Sequence, residues 1–211
     1  MTGPLQLPPA AFRREDEAPD AEFYREARLV THIDDRAIAA VTQLYREYFP
    51  AGGSVLDLMS SWISHLPPEV AYTRVAGLGM NAVELAANPR LTEWVVHDLN
   101  TDPRLPYSSA AFDGAAICVS IDYLTQPQAV LRELGRVLRP GAPLVVTFSN
   151  RCFPTKAIAL WHHLDDEGHV SLVAQWLRDS AVFGDVLTLD RSPRGRSDPL
   201  YAVIGRALAP G

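Results

Sequence analysis

The chain has 211 residues, 47% of them apolar and 21% charged, with a net charge of −6 and a pI near 5.5. That length suits about one domain with a full hydrophobic core, and the acidic balance argues mildly against a nucleic-acid partner, whose binders carry a basic face. No apolar run is long enough to span a bilayer, the opening residues lack the charged-then-apolar order of a secretory leader, and two cysteines, Cys118 and Cys152, make no disulfide framework, so a reducing cytoplasm is the default compartment.

Residues 1–20 read as a flexible arm, with Pro4, Pro8, Pro9 and Pro19 and a charge cluster from Arg13 to Glu17 that offer little to bury. Residues 21–211 read as a single domain. Ile38, Val41, Leu44, Tyr45 and Tyr48 share one helical face over 35–48, with Asp34 or Asp35 as cap and Pro50 and Gly52-Gly53 as the stop. Strands are predicted at Val55–Leu58, Val75–Leu78, Trp94–His97, Ala115–Val119 and Leu144–Phe148. Between them, Asn81 with Glu84 three residues on reads as a capping box, and Pro127–Leu138 as an amphipathic helix that Arg139-Pro140-Gly141 ends. Residues 155–179 are mostly helical with a break near Gly168. Val186–Leu189 and Leu200–Ile204 are strands joined by a turn-rich segment without a helix. Strands alternating with helices imply a parallel sheet with right-handed crossovers, and the helix-free final connection implies an antiparallel last strand.

The most telling segment is Val55-Leu56-Asp57-Leu58-Met59-Ser60-Ser61-Trp62. A buried strand runs into an acid, and the loop that follows is usually glycine-rich in nucleotide-binding α/β folds, so that backbone can approach a ligand. Here Met59, Ser60 and Ser61 occupy it, with serine hydroxyls as donors and a helix start expected at Trp62. Three further blocks follow in order: Asp98-Leu99-Asn100 with Leu105-Pro106-Tyr107 and Phe112-Asp113, then Glu133–Gly141, then the apolar strand Leu144–Phe148.

Together these blocks resemble the class I S-adenosylmethionine-dependent methyltransferases, of the small type-11 kind, over residues 35–207. The resemblance implies an α/β, Rossmann-like three-layer sandwich around a mostly parallel seven-stranded sheet with an antiparallel last strand. It implies S-adenosylmethionine as cofactor. Asp57, Met59, Ser60 and Ser61 would hold its methionine part. Gly79 stands where the family has a ribose-binding acid, with Asn81 the nearest polar substitute. Asp98, with Leu99 beside it, matches the acid that binds the adenine amino group, and Ser120 the residue under the methionine group. The N-terminal segment of such proteins often folds over the active site, which brings Tyr24 and His32 into consideration.

Other residues are candidates by position at the carboxyl edge of the sheet, where open α/β folds bind ligands. Asp122 and His32 are candidate bases toward an acceptor proton, and Tyr123 lies beside Asp122. Asn150 and Arg151 follow the fifth strand, and a guanidinium there can clamp a carboxylate or phosphate. Cys152 lacks a visible base. His162 and His163 point about 100° apart on a helix and, with His169, suggest no metal site. The expected activity is methyl transfer to a small-molecule acceptor, with neither nucleic acid nor membrane as partner and the oligomeric state open. The alternatives are a different reaction on the same fold, or a non-catalytic binding or regulatory protein.

Overall fold

The apolar runs expected to be strands pair into one sheet. The computed structural model describes residues 5–209. Its strands are β1 (Ser54–Leu58), β2 (Arg74–Gly79), β3 (Glu93–Val96), β4 (Gly114–Cys118), β5 (Pro143–Phe148), β6 (Phe183–Asp190) and β7 (Tyr201–Ala207), in the order β3-β2-β1-β4-β5-β7-β6. All pairings among β1 to β5 are parallel. The strand β7 is antiparallel to both β5 and β6, as the helix-free connection requires. The α/β class and the antiparallel last strand are both as expected.

Side chains alternate between two apolar layers, as the pleat dictates. Leu56 and Leu58 join one core cluster and Val55 the other; Val146 and Val145 divide in the same way. Helices α4 (Pro127–Val137) and α6 (Asp166–Asp179) cover the first face and α2 (Asp35–Tyr48) the second. Asp34 caps α2 by accepting from the Arg36 and Ala37 amides. Among the described residues no helix is long and apolar enough to cross a membrane.

Three expectations are corrected here. First, no helix follows β1: residues 59–73 cross to β2 as irregular chain. Met59 and His65 hold positive φ angles of 58° and 52°, and Pro67-Pro68 removes two amides that a helix would need. Asn88 holds this crossover from α3 (Ala82–Ala87), its amide donating to the Ser61 carbonyl and the Ser64 hydroxyl at 2.9 Å each. Second, the helical stretch before β6 breaks at 163–165, between α5 (Ala159–His162) and α6, not at Gly168. The Gly168 amide instead lies in the first turn of α6 and donates to the Asp165 cap.

Third, the arm is docked from Leu5 onward; residues 1–4, with Pro4, lie outside the described residues. Phe12 stacks on Trp176 with ring centroids 6.3 Å apart. The Asp16 amide donates to the Thr155 carbonyl at 2.8 Å, and the Ala159 amide to the Arg13 carbonyl at 2.7 Å. Lys156 is fully buried beneath this strap, its ammonium donating to the Ala18 carbonyl at 2.7 Å and lying 3.2 Å from the carboxylates of Asp16 and Asp20. A buried ammonium is tolerated only with partners of this kind, and here the strap supplies them. Helix α1 (Asp20–Phe23) then leads the chain toward the carboxyl edge of the sheet.

Candidate functional site

A cavity of about 270 Å³ opens at the carboxyl ends of β1 to β4, where the strand order reverses direction at β1 and β4. Its lining includes Asp57, Leu78, Gly79 and Cys118, from the three strands β1, β2 and β4. The crossover contributes Met59 to Ile63 and His65, the turn after β3 contributes His97 to Asn100, and the end of β4 contributes Ser120 and Tyr123. Tyr24, Arg28 and residues 30–33 roof it, and Arg151 to Phe153 close one side.

Asp57 is 5% exposed, and its Oδ2 accepts from the hydroxyls of Ser60 at 2.6 Å and Ser64 at 2.7 Å. Burial pushes this carboxyl up to about 6, against the pull of those two hydroxyls. Asp98 accepts from the amides of Asn100 and Thr101 and from the Thr101 hydroxyl, which fixes the turn and holds the acid at the cavity wall. Leu99 beside it is buried. Asn100 links this turn to its surroundings, donating to the Asp20 carboxylate at 2.8 Å and the Tyr123 carbonyl at 2.9 Å. The Ser120 hydroxyl is buried at the cavity without a hydrogen-bond partner. That orphaned hydroxyl is the kind of group a polar ligand atom satisfies.

Gly79 has no room for a side chain: a Cβ there would run into the Ser60 carbonyl oxygen. The Ser60 amide donates to the Leu78 carbonyl at 2.7 Å, which locks the crossover against β2. The expected ribose acid is therefore excluded by backbone as well as absent from the sequence. Asn81 reaches the cavity, but its amide nitrogen donates to the Tyr24 and Arg25 carbonyls and its oxygen caps α3 through the Val83 and Glu84 amides. It clamps the roof to the helix.

Tyr24, His32, Tyr123 and Arg151 all line the cavity. Burial raises the Tyr24 phenol, and the Tyr123 hydroxyl accepts from the Phe153 amide at 2.8 Å. His32 packs edge-on against Phe153 at 5.1 Å, and burial draws its pKa below the ordinary value. Arg151 pairs with Asp198 at 2.8 Å on the rim.

Two of the candidates lie outside the cavity lining. Asp122 does not line the cavity: it sits in the turn Ile121–Tyr123, 2% exposed, and burial pushes its carboxyl up to about 8. It lies behind the lining, near enough for its charge to bear on Tyr24, Tyr123 and Cys152. Asn150 is exposed and also outside the cavity. Burial and then the Asp122 charge raise the Cys152 thiol, the opposite of what a nucleophile needs. The helix histidines bind backbone: His162 to the Pro154 carbonyl, His163 to Ala159, and His169 to Trp161 while stacked on that indole. Among the described residues no group of three or more His, Cys, Asp or Glu is placed for a metal ion.

Other lining residues stood out less in sequence. Arg28 lies over Phe23 at 4.5 Å and Phe153 at 5.4 Å. His65, held near 4 by burial and the neighbouring His32, has a buried, unpartnered Nδ1. Glu84, read only as half of a capping box, instead accepts from the Arg28 amide at 2.7 Å and the Ser61 hydroxyl at 2.6 Å. The Trp62 indole donates to the Val30 carbonyl at 2.9 Å, so crossover and roof are one assembly.

Comparison with known proteins agrees with this architecture. A family profile described as a methyltransferase domain matches residues 63–146, beginning after the altered loop. The solved [4+2]-cyclase SpnF superposes with a TM-score of 0.60 at 18% identity, over 81% of each chain. The chain has the class I S-adenosylmethionine-dependent methyltransferase fold. The family resemblance read from the sequence is borne out. A phosphoethanolamine N-methyltransferase 2 from Haemonchus contortus, solved in complex with S-adenosyl-L-methionine, also superposes at a TM-score of 0.60 with 11% identity, over 83% of this chain and 53% of that one. An O-methyltransferase of Pyrenophora dematioidea is 39% identical over 64 residues, which are 29% of this chain and 24% of that protein. The chain thus covers about a quarter of the length of that relative.

Proposed function

We propose that this protein binds S-adenosylmethionine in the carboxyl-edge cavity and methylates a small-molecule acceptor. The observation that carries this reading is the convergence of Asp57, Asp98-Leu99 and the orphaned Ser120 hydroxyl on one cavity over β1 to β4. The profile match and a fold neighbour solved with the cofactor support it. When bound, the cofactor supplies an electrophilic methyl group on sulfur. The protein's part is positional. Asp98 accepts from the adenine amino group, Leu99 packs beside the ring, and Ser120 donates or accepts at the methionine end. Asp57, once ionised, attracts the ammonium. Met59, Ser60 and Ser61 line that end, where the Ser60 hydroxyl donates to Asp57 and no helix N-terminus stands. The roof from Tyr24 to Ile33 excludes water and holds the acceptor against the reacting carbon, where effective molarity is the main source of rate. His32 takes the acceptor proton; Tyr123 and Arg151 contact the acceptor. The free thiols fit a reducing cytoplasm.

A thermal-shift titration tests the reading. S-adenosylmethionine and S-adenosylhomocysteine each raise the midpoint in a saturable way, and release of S-adenosylhomocysteine follows when an acceptor is supplied. No shift from either compound at millimolar concentration contradicts it.

A second reading has its own support. The helix-free crossover and the Ser60 carbonyl against Gly79 alter the methionine and ribose corners together, and a cyclase shares the fold. On this reading the protein catalyses another reaction. Its signature is binding of either compound without methyl transfer to any acceptor that the protein converts.

A further inference from the structure

Glu84 is a buried acid on the cavity wall that the reading above does not use. It lies in the first turn of α3 and is 8% exposed. The sequence pattern offers it a local partner, the amide of its own helix cap. Its oxygens turn elsewhere: Oε1 accepts from the Arg28 amide and Oε2 from the Ser61 hydroxyl. A carboxylate has about four acceptor positions, and two are taken. The others have no hydrogen-bond partner, and Glu84 is a lining residue of the cavity.

The surrounding corner contains Ser60, Ser61, Gly79, Met80 and Asn81. Position 79 cannot hold an acid, because the Ser60 carbonyl fills the place of its Cβ. Asn81 has its amide and carbonyl engaged with the roof and the helix. The Ser61 hydroxyl already donates its proton to Glu84. Glu84 is therefore the group at this corner with spare acceptor capacity and charge. We infer that Glu84 binds the vicinal hydroxyls of a nucleoside-type ligand, supplying from helix α3 the carboxylate that β2 cannot carry. The inference rests on the cavity taking such a ligand. The Arg28 amide and the Ser61 hydroxyl then have a second effect: they aim the carboxylate, so that roof, crossover and ligand diol meet on one side chain.

The test is a titration of wild type, Glu84→Gln and Glu84→Asp with two probes, S-adenosylhomocysteine and its 2′-deoxy analogue, read as heat of binding. Wild type prefers the ribose compound by about tenfold or more, the scale of one lost charge-assisted hydrogen bond. Glu84→Gln reduces that preference to about threefold or less, with a smaller change for the deoxy compound, which a merely structural loss would weaken equally. Glu84→Asp, which keeps the charge but withdraws it by one methylene, falls between. If wild type binds both probes equally, the inference is overturned while the cofactor reading stands. The same holds if Glu84→Gln retains the full preference. If wild type binds neither probe, the cofactor reading fails and the inference with it. The wild-type comparison needs no variant to fold.

Discussion

Asp57 and Asp122 are both buried carboxyls, yet they differ in what they face. Asp57 lines the cavity with its carboxyl raised to about 6. An ammonium-bearing ligand beside it favours the ionised form, so binding expels a proton below that value. S-adenosylhomocysteine is expected to bind about tenfold more tightly at pH 7 than at pH 5, and Asp57→Asn to flatten the dependence. Calorimetry across that range checks it. Asp122 is not among the cavity-lining residues, and its Oδ2 has no partner. Its carboxyl is raised from 3.8 to about 8. Between those values the folded chain keeps a proton that the unfolded chain releases, so the contribution to stability is whole below the lower value and falls as pH rises through the upper one. Asp122→Asn removes the penalty. Its melting temperature relative to wild type should climb as pH goes from 6 to 9, whereas a catalytic Asp122 would show itself in turnover.

At the level of elements, the crossover stands where a glycine loop and its helix usually stand, and the strap packs over Lys156 and Trp176. The strap is pinned by Lys156, whose ammonium has two carboxylates and two carbonyls around it and no solvent. Lys156→Ala removes the ammonium shared by Asp16, Asp20 and the strap carbonyls while Asp20 keeps Arg14, and is expected to cost more than about 1 kcal/mol in chemical denaturation. A loss below about 1 kcal/mol, typical of exposed pairs, would mean the strap is only loosely held. The crossover depends on a bare Gly79. Gly79→Asp restores the family residue by composition, yet it drives a side chain into the Ser60 carbonyl. It should destabilise the fold by about 1–3 kcal/mol or more and weaken ligand binding, not improve it. Tighter binding of S-adenosylhomocysteine by that variant would show that the crossover moves aside.

For the whole molecule, the sheet was legible because its signal is local. Strands such as Ala115–Val119 are apolar almost throughout, helix 127–138 repeats at helical spacing, and the final pair lacks an intervening helix. The cavity lining was legible where a strand end fixes it, as at Asp57, Asp98 and Ser120. It was illegible where distant chain decides. The pattern from Asn81 to Glu84 reads as a capping box, but the Arg28 amide, 56 residues away, claims the carboxylate. Which of Asp122 and Tyr123 meets the cavity depends on the turn at 121–123, not on their composition. The Pro-rich opening reads as solvated until the buried Lys156 supplies a reason for it to dock. Whether this cavity still takes the cofactor despite its altered crossover is decided by calorimetric titration of wild type and Asp98→Asn with S-adenosylhomocysteine. Asparagine keeps an oxygen for the turn and removes the charge. The account predicts saturable one-site binding by wild type, weakened about tenfold in the variant. No saturable heat up to millimolar ligand, or equal affinity in both proteins, would contradict it.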